Sequence, residues 1–378
     1  MTRRAPLLPR FVLLYAGMYA AYGVASPFLP AFVNARGVPP EEIGAVLAAG
    51  TAIRLLAAPL AGRIADRLQA LRAVLVVCIA CAAAATLAYV PAHGFLPFLF
   101  LTLLHAAFLA PMTILADALA LGSSKAAKFE YGWVRGAGSA AFIAGIGVSG
   151  QLVGGFGLEA IVWSQALLLA AAAIAATRVP ELVHEPRSAA AGSMLVLLRL
   201  PRFRYVVLVA ALILGSHAMH DAFAVIRWTA AGVSPPTASL LWALAVLAEV
   251  AVFFALGPAL IRRLTPAGAI ALAALAGMLR WAVMAQTSEV LALALVQPLH
   301  GVTFALLHLA CMRLIAEVVP AGLEATAQAV YGTLGIGAAT ALLTFLSGFL
   351  YAGAGAHGFW IMVALCAAAL PMALKLRQ

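Results

Sequence analysis

The stretch LPRFVLLYAGMYAAYGVASPFLPAF, residues 8–32, decides the class of fold to which this chain belongs. It contains one charged side chain, Arg10, and it is longer than the roughly 20 apolar residues that a helix needs to cross a bilayer. It is also too long for the apolar core of a secretory signal peptide, and it shows no small-residue cleavage site ahead of a soluble domain. We therefore interpret this stretch as a first membrane span.

The composition extends this interpretation to the whole chain. Of its 378 residues, 65% are hydrophobic and 10% are charged, whereas a soluble domain has about 25% charged residues. A water-soluble chain of this size needs a charged surface, so a soluble enzyme, a nucleic-acid binder and a disordered protein are excluded. The four cysteines all fall in apolar stretches without a His partner at zinc spacing, which predicts buried small side chains.

Apolar runs separated by Gly, Pro and charged residues predict an all-α integral membrane protein with twelve transmembrane helices. The predicted spans are residues 8–33, 43–61, 71–90, 95–121, 133–154, 158–176, 205–229, 237–260, 267–285, 288–316, 325–351 and 357–374. Most of the 23 Lys and Arg fall in the loops on one face of this arrangement. The positive-inside rule then predicts that both termini are cytoplasmic and that the net charge of +10 reports topology in an inner membrane.

The longest polar stretch, residues 177–204, divides the chain into two predicted six-helix bundles. The N-terminal bundle is residues 1–176 and the C-terminal bundle is residues 205–378, with a cytoplasmic central loop between them. Each bundle has a Pro and an Arg, four residues apart, that close its second span at corresponding positions. The sequence therefore predicts two pseudo-symmetric halves related as a parallel repeat.

A polar motif after the second predicted span carries a family resemblance. The residues Gly62-Arg63-Ile64-Ala65-Asp66-Arg67 resemble the G-x-x-x-D-R loop signature of the major facilitator superfamily. In that superfamily the Asp and Arg of the motif tie the loop to neighbouring helix ends, where charges suit the helix dipoles, and stabilise one access state. The resemblance implies the major facilitator fold and a conformational role for Gly62, Asp66 and Arg67.

Two further stretches narrow the resemblance. Residues 131–139, YGWVRGAGS, and residues 297–304, QPLHGVTF, resemble motifs of the phenylpropionate permease family of the major facilitators, which is related to the lactose permease and to nucleoside symporters. The lactose permease uses an acid on helix 4 and an Arg on helix 5 for substrate, and an Arg on helix 9 and a His on helix 10 for proton coupling. At the same separations this chain has Asp117 with Arg135 and Arg280 with His300.

The same pattern places a proton-carrying Glu three residues after the His, and here this chain departs from it. The position is occupied by Thr303, whose hydroxyl carries no proton charge at physiological pH. The sequence offers other carriers on spans seven, eight and ten, namely Asp221, Glu249, His300 and His220.

Six charged residues lie within or at the edges of the predicted spans, and their formal charges sum to zero: Arg54, Asp117, Arg135, Asp221, Glu249 and Arg280. A charge at the bilayer centre costs about 2.5–3.5 kcal/mol, so these residues must face the protein interior. Several alternatives remain open at this point. Asp117 and Arg135 form either a polar pair at a substrate cavity or an interfacial salt bridge. Arg54 is either an anion contact or a tie between helices.

The proton-coupling candidates also allow two interpretations. His217, His220 and Asp221 share one face of a helix, so Asp221 can orient an imidazole or accept from Arg280. Glu249 either alternates between a buried neutral form and a charged form, as a proton carrier does, or forms a fixed ion pair with Arg280.

The remaining candidates are polar and aromatic side chains on single helix faces. They are Tyr19 and Tyr22 on span one, Gln297 and His300 on span ten, and Gln328 and Tyr331 on span eleven. Aromatic rings with a few polar groups suit an aromatic substrate, although such a stripe also suits packing. The chain has no zinc-ligand spacing, no phosphate-binding loop and no hydrolase motif, so we expect no metal and no cofactor.

We therefore expect a secondary active transporter, not an enzyme, that symports a small aromatic carboxylate with protons by alternating access. Arg135 or Arg280 is expected to hold the carboxylate through paired hydrogen bonds. The alternatives are a proton-coupled sugar or nucleoside symporter and an exporter of the same fold. A receptor, scaffold or membrane enzyme is a different class, and it is disfavoured because the loops are short. The expected partners are a small-molecule substrate, protons and the lipid bilayer, without nucleic acid, and the chain is expected to act as a monomer.

Overall fold

A computed structural model describes residues 7–181 and 194–376, and throughout this part of the chain the regular secondary structure is helical. Within it, nine continuous helical stretches are long and apolar enough to cross a membrane. Two of these stretches have 52 residues each, more than twice the length that one crossing requires. The chain is a multi-pass membrane protein.

The described residues form two compact units, of which the first contains residues 7–38 and 52–181. Its helices are α1 Leu7–Ala25, α2 Leu29–Ala35, the second half of α3 Pro40–Leu68, α4 Leu71–Leu87, α5 Phe95–Ala127, α6 Tyr131–Phe156 and α7 Glu159–Ala176. Glycines let α1 and α6 pack closely, because a Cβ on Gly145 would lie 2.6 Å from the backbone oxygen of Ala20. This close packing fixes the position of the tyrosines of α1.

The second unit contains residues 39–51 and 194–376. Its helices are the first half of α3, α8 Met194–Arg199, α9 Pro201–Gly215, α10 Ala218–Ala230, α11 Pro235–Ala251, α12 Gly257–Gln286, α13 Val290–Val296, α14 Leu307–Val318, α15 Glu324–Val330, α16 Ala339–Ala354 and α17 Phe359–Lys375. Its core is built from apolar side chains of α9, α12, α14 and α17.

Three π-helical segments interrupt the helices of the second unit. They are Val252–Leu256 after α11, Gly301–Leu306 before α14 and Tyr331–Ala338 before α16. A π-helix has i→i+5 hydrogen bonds and occurs mostly as short segments, frequently at functional sites. A sharper break lies inside α12, where Thr265 has φ 62° and ψ 159° immediately before Pro266. This kink falls between the predicted spans eight and nine.

The helix boundaries correct two details of the sequence prediction. The first predicted span is two helices, since the chain turns after Ala25 and α2 restarts with Pro30 in its first turn. The motif Gly62–Arg67 is not a loop but the last turns of α3, and the chain leaves the helix at Gln69, which has φ 48°. Asp66 and Arg67 are both exposed there.

The predicted central loop is partly helical. Residues 182–193 lie outside the described part of the chain, but α8 begins at Met194 and α9 begins at Pro201, inside the range 177–204. Proline has a helical φ and lacks the amide hydrogen that a first helical turn leaves unbonded, so Pro201 starts α9 earlier than the apolar pattern indicates.

The predicted N-terminal bundle, residues 1–176, also differs from the first compact unit. Residues 39–51 at the start of α3 belong to the second unit. A Cβ on Gly44 would lie 2.8 Å from Cα of Gly348, so the α3 and α16 backbones meet at this point. The division into two six-helix halves stays a prediction.

Candidate functional site

A buried guanidinium is the centre of the polar cluster in the second unit. Arg280 of α12 is 0% exposed. It donates to Oε1 of Gln297 at 2.8 Å and contacts Nδ1 of His300 at 3.2 Å and Nε2 of His220 at 3.4 Å. Its guanidinium also lies over the ring of Trp281, 4.4 Å from the ring centre, which is a favourable cation–π contact.

On the side of the ring away from Arg280, each of the two histidines contacts a carboxylate. Nε2 of His300 is 3.2 Å from Oε2 of Glu249, and Nδ1 of His220 is 3.0 Å from Oδ1 of Asp221. We call the six residues the Arg280 network: Arg280, Gln297, His300, Glu249, His220 and Asp221. The direct ion pairs of Arg280 with Asp221 or Glu249 that the sequence allows are replaced by contacts through the imidazoles.

The chemistry of arginine assigns the tautomer of both histidines. Arginine only donates hydrogen bonds, so Nδ1 of His300 must accept, and its Nε2–H donates to Glu249. Nε2 of His220 likewise faces donors from Arg280 and from the Gln297 amide, so its Nδ1–H donates to Asp221. Both imidazoles are therefore neutral and bridge a cation to a carboxylate.

This hydrogen-bond pattern limits how a proton can move. Neither the guanidinium of Arg280 nor the amide of Gln297 passes a proton on, so the network is not a continuous proton wire. It consists of two His–carboxylate pairs that share one cation. With both carboxylates ionised, the network has two negative charges and one positive charge. Binding of one proton would make its formal charge zero. The side chain of Glu249 is 24% exposed and that of Asp221 is 55% exposed.

A close helix contact holds Glu249 against His300. Gly301 follows His300 directly, and a Cβ on Gly301 would lie 2.5 Å from the backbone oxygen of Ala248. Only a glycine permits this approach, which brings the residues next to Gly301 and Ala248 into hydrogen-bond contact. The π-helical segment Gly301–Leu306 begins at the same point, where the preceding Pro298 has already interrupted the helix.

We expect Gly301→Ala to destabilise the protein by about 1–3 kcal/mol, because the added methyl group forces two backbones apart. It should also weaken the contact between Glu249 and His300. Thermal unfolding in detergent measures the first effect, and Gly332→Ala is the matched control, since a Cβ on Gly332 meets nothing within 4 Å. Equal melting temperatures for the two variants would show that the close contact carries no strain.

Aromatic rings fix the orientation of the imidazoles. The ring of His220 stacks on Trp242 with centres 4.8 Å apart, and His217 lies 5.0 Å from His300. Trp281, which lies under Arg280, donates from Nε1 to the hydroxyl of Ser216 at 2.8 Å. These contacts hold the imidazoles of the network in one orientation.

The first unit has its own polar cluster around Asp117 of α5. Oδ1 of Asp117 accepts hydrogen bonds from the hydroxyls of Tyr15 and Tyr131, the second at 2.7 Å, and lies 3.6 Å from Nη1 of Arg135. Arg135 also donates to the hydroxyl of Tyr19 and lies over its ring at 5.4 Å. The structure thus brings Asp117, Arg135 and Tyr19 together, as the sequence suggests.

The other residues that the sequence nominates lie outside these two clusters. Tyr22 packs edge-on against Tyr19 and donates to the backbone oxygen of Leu109 at 3.4 Å. Tyr331 is buried and contacts Nδ1 of His308 at 3.3 Å, whereas Gln328 is exposed. Neither Tyr331 nor Gln328 has a hydrogen bond to the Arg280 network.

Three contacts of these clusters were not nominated from the sequence. Tyr15 and Tyr131 hold Asp117, and Trp242 holds His220. Tyr131 lies at the start of the YGWVRGAGS motif, and Tyr15 lies on the tyrosine-containing face of α1. The sequence therefore contained a feature that could have nominated each of them. Among residues 7–181 and 194–376, no group of three or more His, Cys, Asp or Glu side chains could hold a metal ion.

The helical fold is that of a membrane transporter of the major facilitator type. A family model described as the MFS_1 like family matches residues 9–362, and the chain belongs to this family. The probable 3-phenylpropionic acid transporter of Escherichia coli (strain K12) is 33% identical over 355 residues, which are 92% of each chain.

Solved structures share the fold at low sequence identity. A mutant of the nucleoside transporter NupG has a TM-score of 0.86 with 16% identity, and the match covers 98% of this chain and 99% of that one. The human organic anion transporter MFSD10 has a TM-score of 0.61 with 18% identity, covering 97% and 99% of the two chains. At these identities the likeness shows the fold alone.

Proposed function

We propose that this protein is a proton-coupled symporter of small aromatic carboxylates that works by alternating access. The observation that carries the proposal is the Glu249–His300 pair beside the buried Arg280. A carboxylate that hydrogen-bonds a neutral imidazole can take up one proton, which balances the formal charge of the network. The relative that is named for 3-phenylpropionic acid supports an aromatic acid as substrate.

Aromatic groups of the first unit add support for this substrate class. Tyr15 and Tyr19 stack with ring centres 5.8 Å apart, and Tyr22 meets Tyr19 edge-on at 5.6 Å. Such rings bind a phenyl group through offset or edge contacts, while a nearby cation binds the carboxylate. Asp117 and Arg135, which lie beside these rings, are proposed to shape the substrate site.

The membrane arrangement is part of the same proposal. We infer twelve crossings in two six-helix halves, with both termini in the cytoplasm of an inner membrane. The basic loops support the orientation, and the kink at Thr265 supports two crossings within one of the 52-residue helical stretches. We propose that the protein is a transporter rather than an enzyme and acts as a monomer.

The direct test is flux into vesicles that contain the purified protein. With an inward proton gradient, we expect labelled 3-phenylpropionate to accumulate above its external concentration and the lumen to acidify. Protein-free vesicles set the baseline, because the protonated acid crosses lipid unaided. Accumulation of a sugar or nucleoside in place of the acid would assign a different substrate, and equal flux with and without a gradient would exclude proton coupling.

A further inference from the structure

Arg54 is a charged side chain without a countercharge in the middle of a membrane-crossing helix. It lies halfway along the 29-residue helix α3. The side chains of Tyr22 and Tyr89 lie in its neighbourhood. It makes no hydrogen bond or salt bridge with any residue of 7–181 or 194–376, and its side chain is exposed.

The two arginines that the sequence nominates for the carboxylate are already engaged. Arg135 contacts Asp117 and Tyr19, and Arg280 is fully buried between Gln297 and two imidazoles. A substrate carboxylate that approached either of them would have to displace an existing partner. Arg54 offers its donors without such a displacement.

The surroundings of Arg54 indicate that it faces the protein interior rather than lipid. Tyr89 and His105, which lie in its neighbourhood, are both buried and pack edge-on with ring centres 5.6 Å apart. Nε2 of His105 is buried without a hydrogen-bond partner among the described residues. A buried nitrogen without a hydrogen-bond partner is unfavourable unless a ligand or water supplies one. Arg54 and His105 are therefore two neighbouring polar groups that both lack a partner among the described residues.

A charge without a partner inside a membrane costs stability, and such residues mark substrate pathways. An incoming carboxylate would supply the missing negative charge and accept a bidentate hydrogen bond from the guanidinium. A neutral sugar would not supply this negative charge.

The geometry points to Arg54 as the residue that binds the carboxylate of the transported acid, with His105 as a second polar contact. This inference rests on the proposed function, since it requires an anionic substrate. It assigns Arg54 the anchoring role that the sequence nominates for Arg135 or Arg280. Arg135 then positions the tyrosines of α1, and Arg280 belongs to the proton-carrying network.

The test compares a carboxylate ligand with its neutral amide. We expect 3-phenylpropionate to raise the melting temperature of the purified protein and 3-phenylpropanamide to raise it much less. Arg54→Gln should weaken binding of the acid about 10- to 100-fold, and Arg54→Lys should retain part of it. Without ligand, Arg54→Gln should melt about 2–4 °C higher than the parent protein, because it removes an unbalanced charge.

Arg63→Gln is the matched control, since Arg63 is an exposed arginine on the same helix. It should bind the acid as the parent protein does. If Arg54→Gln binds the acid with unchanged affinity while the parent protein transports it, the role of Arg54 is wrong and the proposed function stands. If the parent protein neither binds nor transports any aromatic acid, the proposed function is wrong and the role of Arg54 fails with it.

Discussion

Glu249→Gln should abolish proton-driven accumulation of substrate while leaving the protein folded. The amide of glutamine can still accept from Nε2–H of His300 but cannot take up a proton, so the hydrogen bond survives and the carrier is lost. We expect the initial rate of accumulation in an imposed gradient to fall about 100-fold or more. Exchange of labelled for unlabelled substrate at equal concentrations should persist, since exchange needs no net proton movement.

Two further variants make this test specific. Asp221→Asn changes the same kind of His–carboxylate pair, but at a more exposed acid, and should retain proton-driven uptake. Glu317→Gln alters an exposed acid that pairs with Arg313 one helical turn away, and it should behave as the parent protein does. Loss of coupling in Asp221→Asn but not in Glu249→Gln would assign the proton to the other pair.

Arg280→Met should cause a large loss of stability. Removing the cation takes away the donor to Oε1 of Gln297 and to Nδ1 of His300, leaves His220 with the Gln297 amide as its donor, and leaves two carboxylates uncompensated. Breaking a buried ionic network in this way costs about 3–5 kcal/mol, although methionine fills a similar volume. We expect the melting temperature in detergent to fall by at least about 5 °C.

The control for this variant is Arg313→Met. The side chain of Arg313 is 63% exposed, and its pairing with Glu317 is worth only about 0.3–0.5 kcal/mol. The Arg313→Met variant should therefore melt at nearly the same temperature as the parent protein. Adding Glu249→Gln and Asp221→Asn to Arg280→Met should recover part of the lost stability, because the uncompensated negative charges are then removed. Absence of any recovery would show that packing of the guanidinium, rather than its charge, stabilises this region.

The sequence predicts the helical membrane class because apolar periodicity and charge depletion are properties of the chain itself. The resemblance to the lactose permease pattern also pairs Asp117 with Arg135 and Arg280 with His300, at the separations of that family. Contacts between distant helices carry no such spacing. The hydrogen bond from Tyr15 to Asp117 and the position of His300 between Arg280 and Glu249 therefore required the folded structure.

Side-chain directions were harder to predict than helix positions. A helical wheel assumes a constant angle per residue, and the second unit departs from that angle at its π-helical segments. Tyr331 stands at the start of one such segment and contacts His308 rather than the Arg280 network. Gln328, which precedes it by three residues, is exposed.

The wide turn at Gly301–Leu306 has a consequence for aligning this chain with its relatives. A turn closed by i→i+5 hydrogen bonds holds one residue more than an α-helical turn of similar rise. A relative with a regular helix at this point would be one residue shorter there, and an alignment should place its gap inside the membrane, next to His300, rather than in a loop. An alignment without that gap would shift every later residue of the helix by one position relative to its true counterpart in the relative.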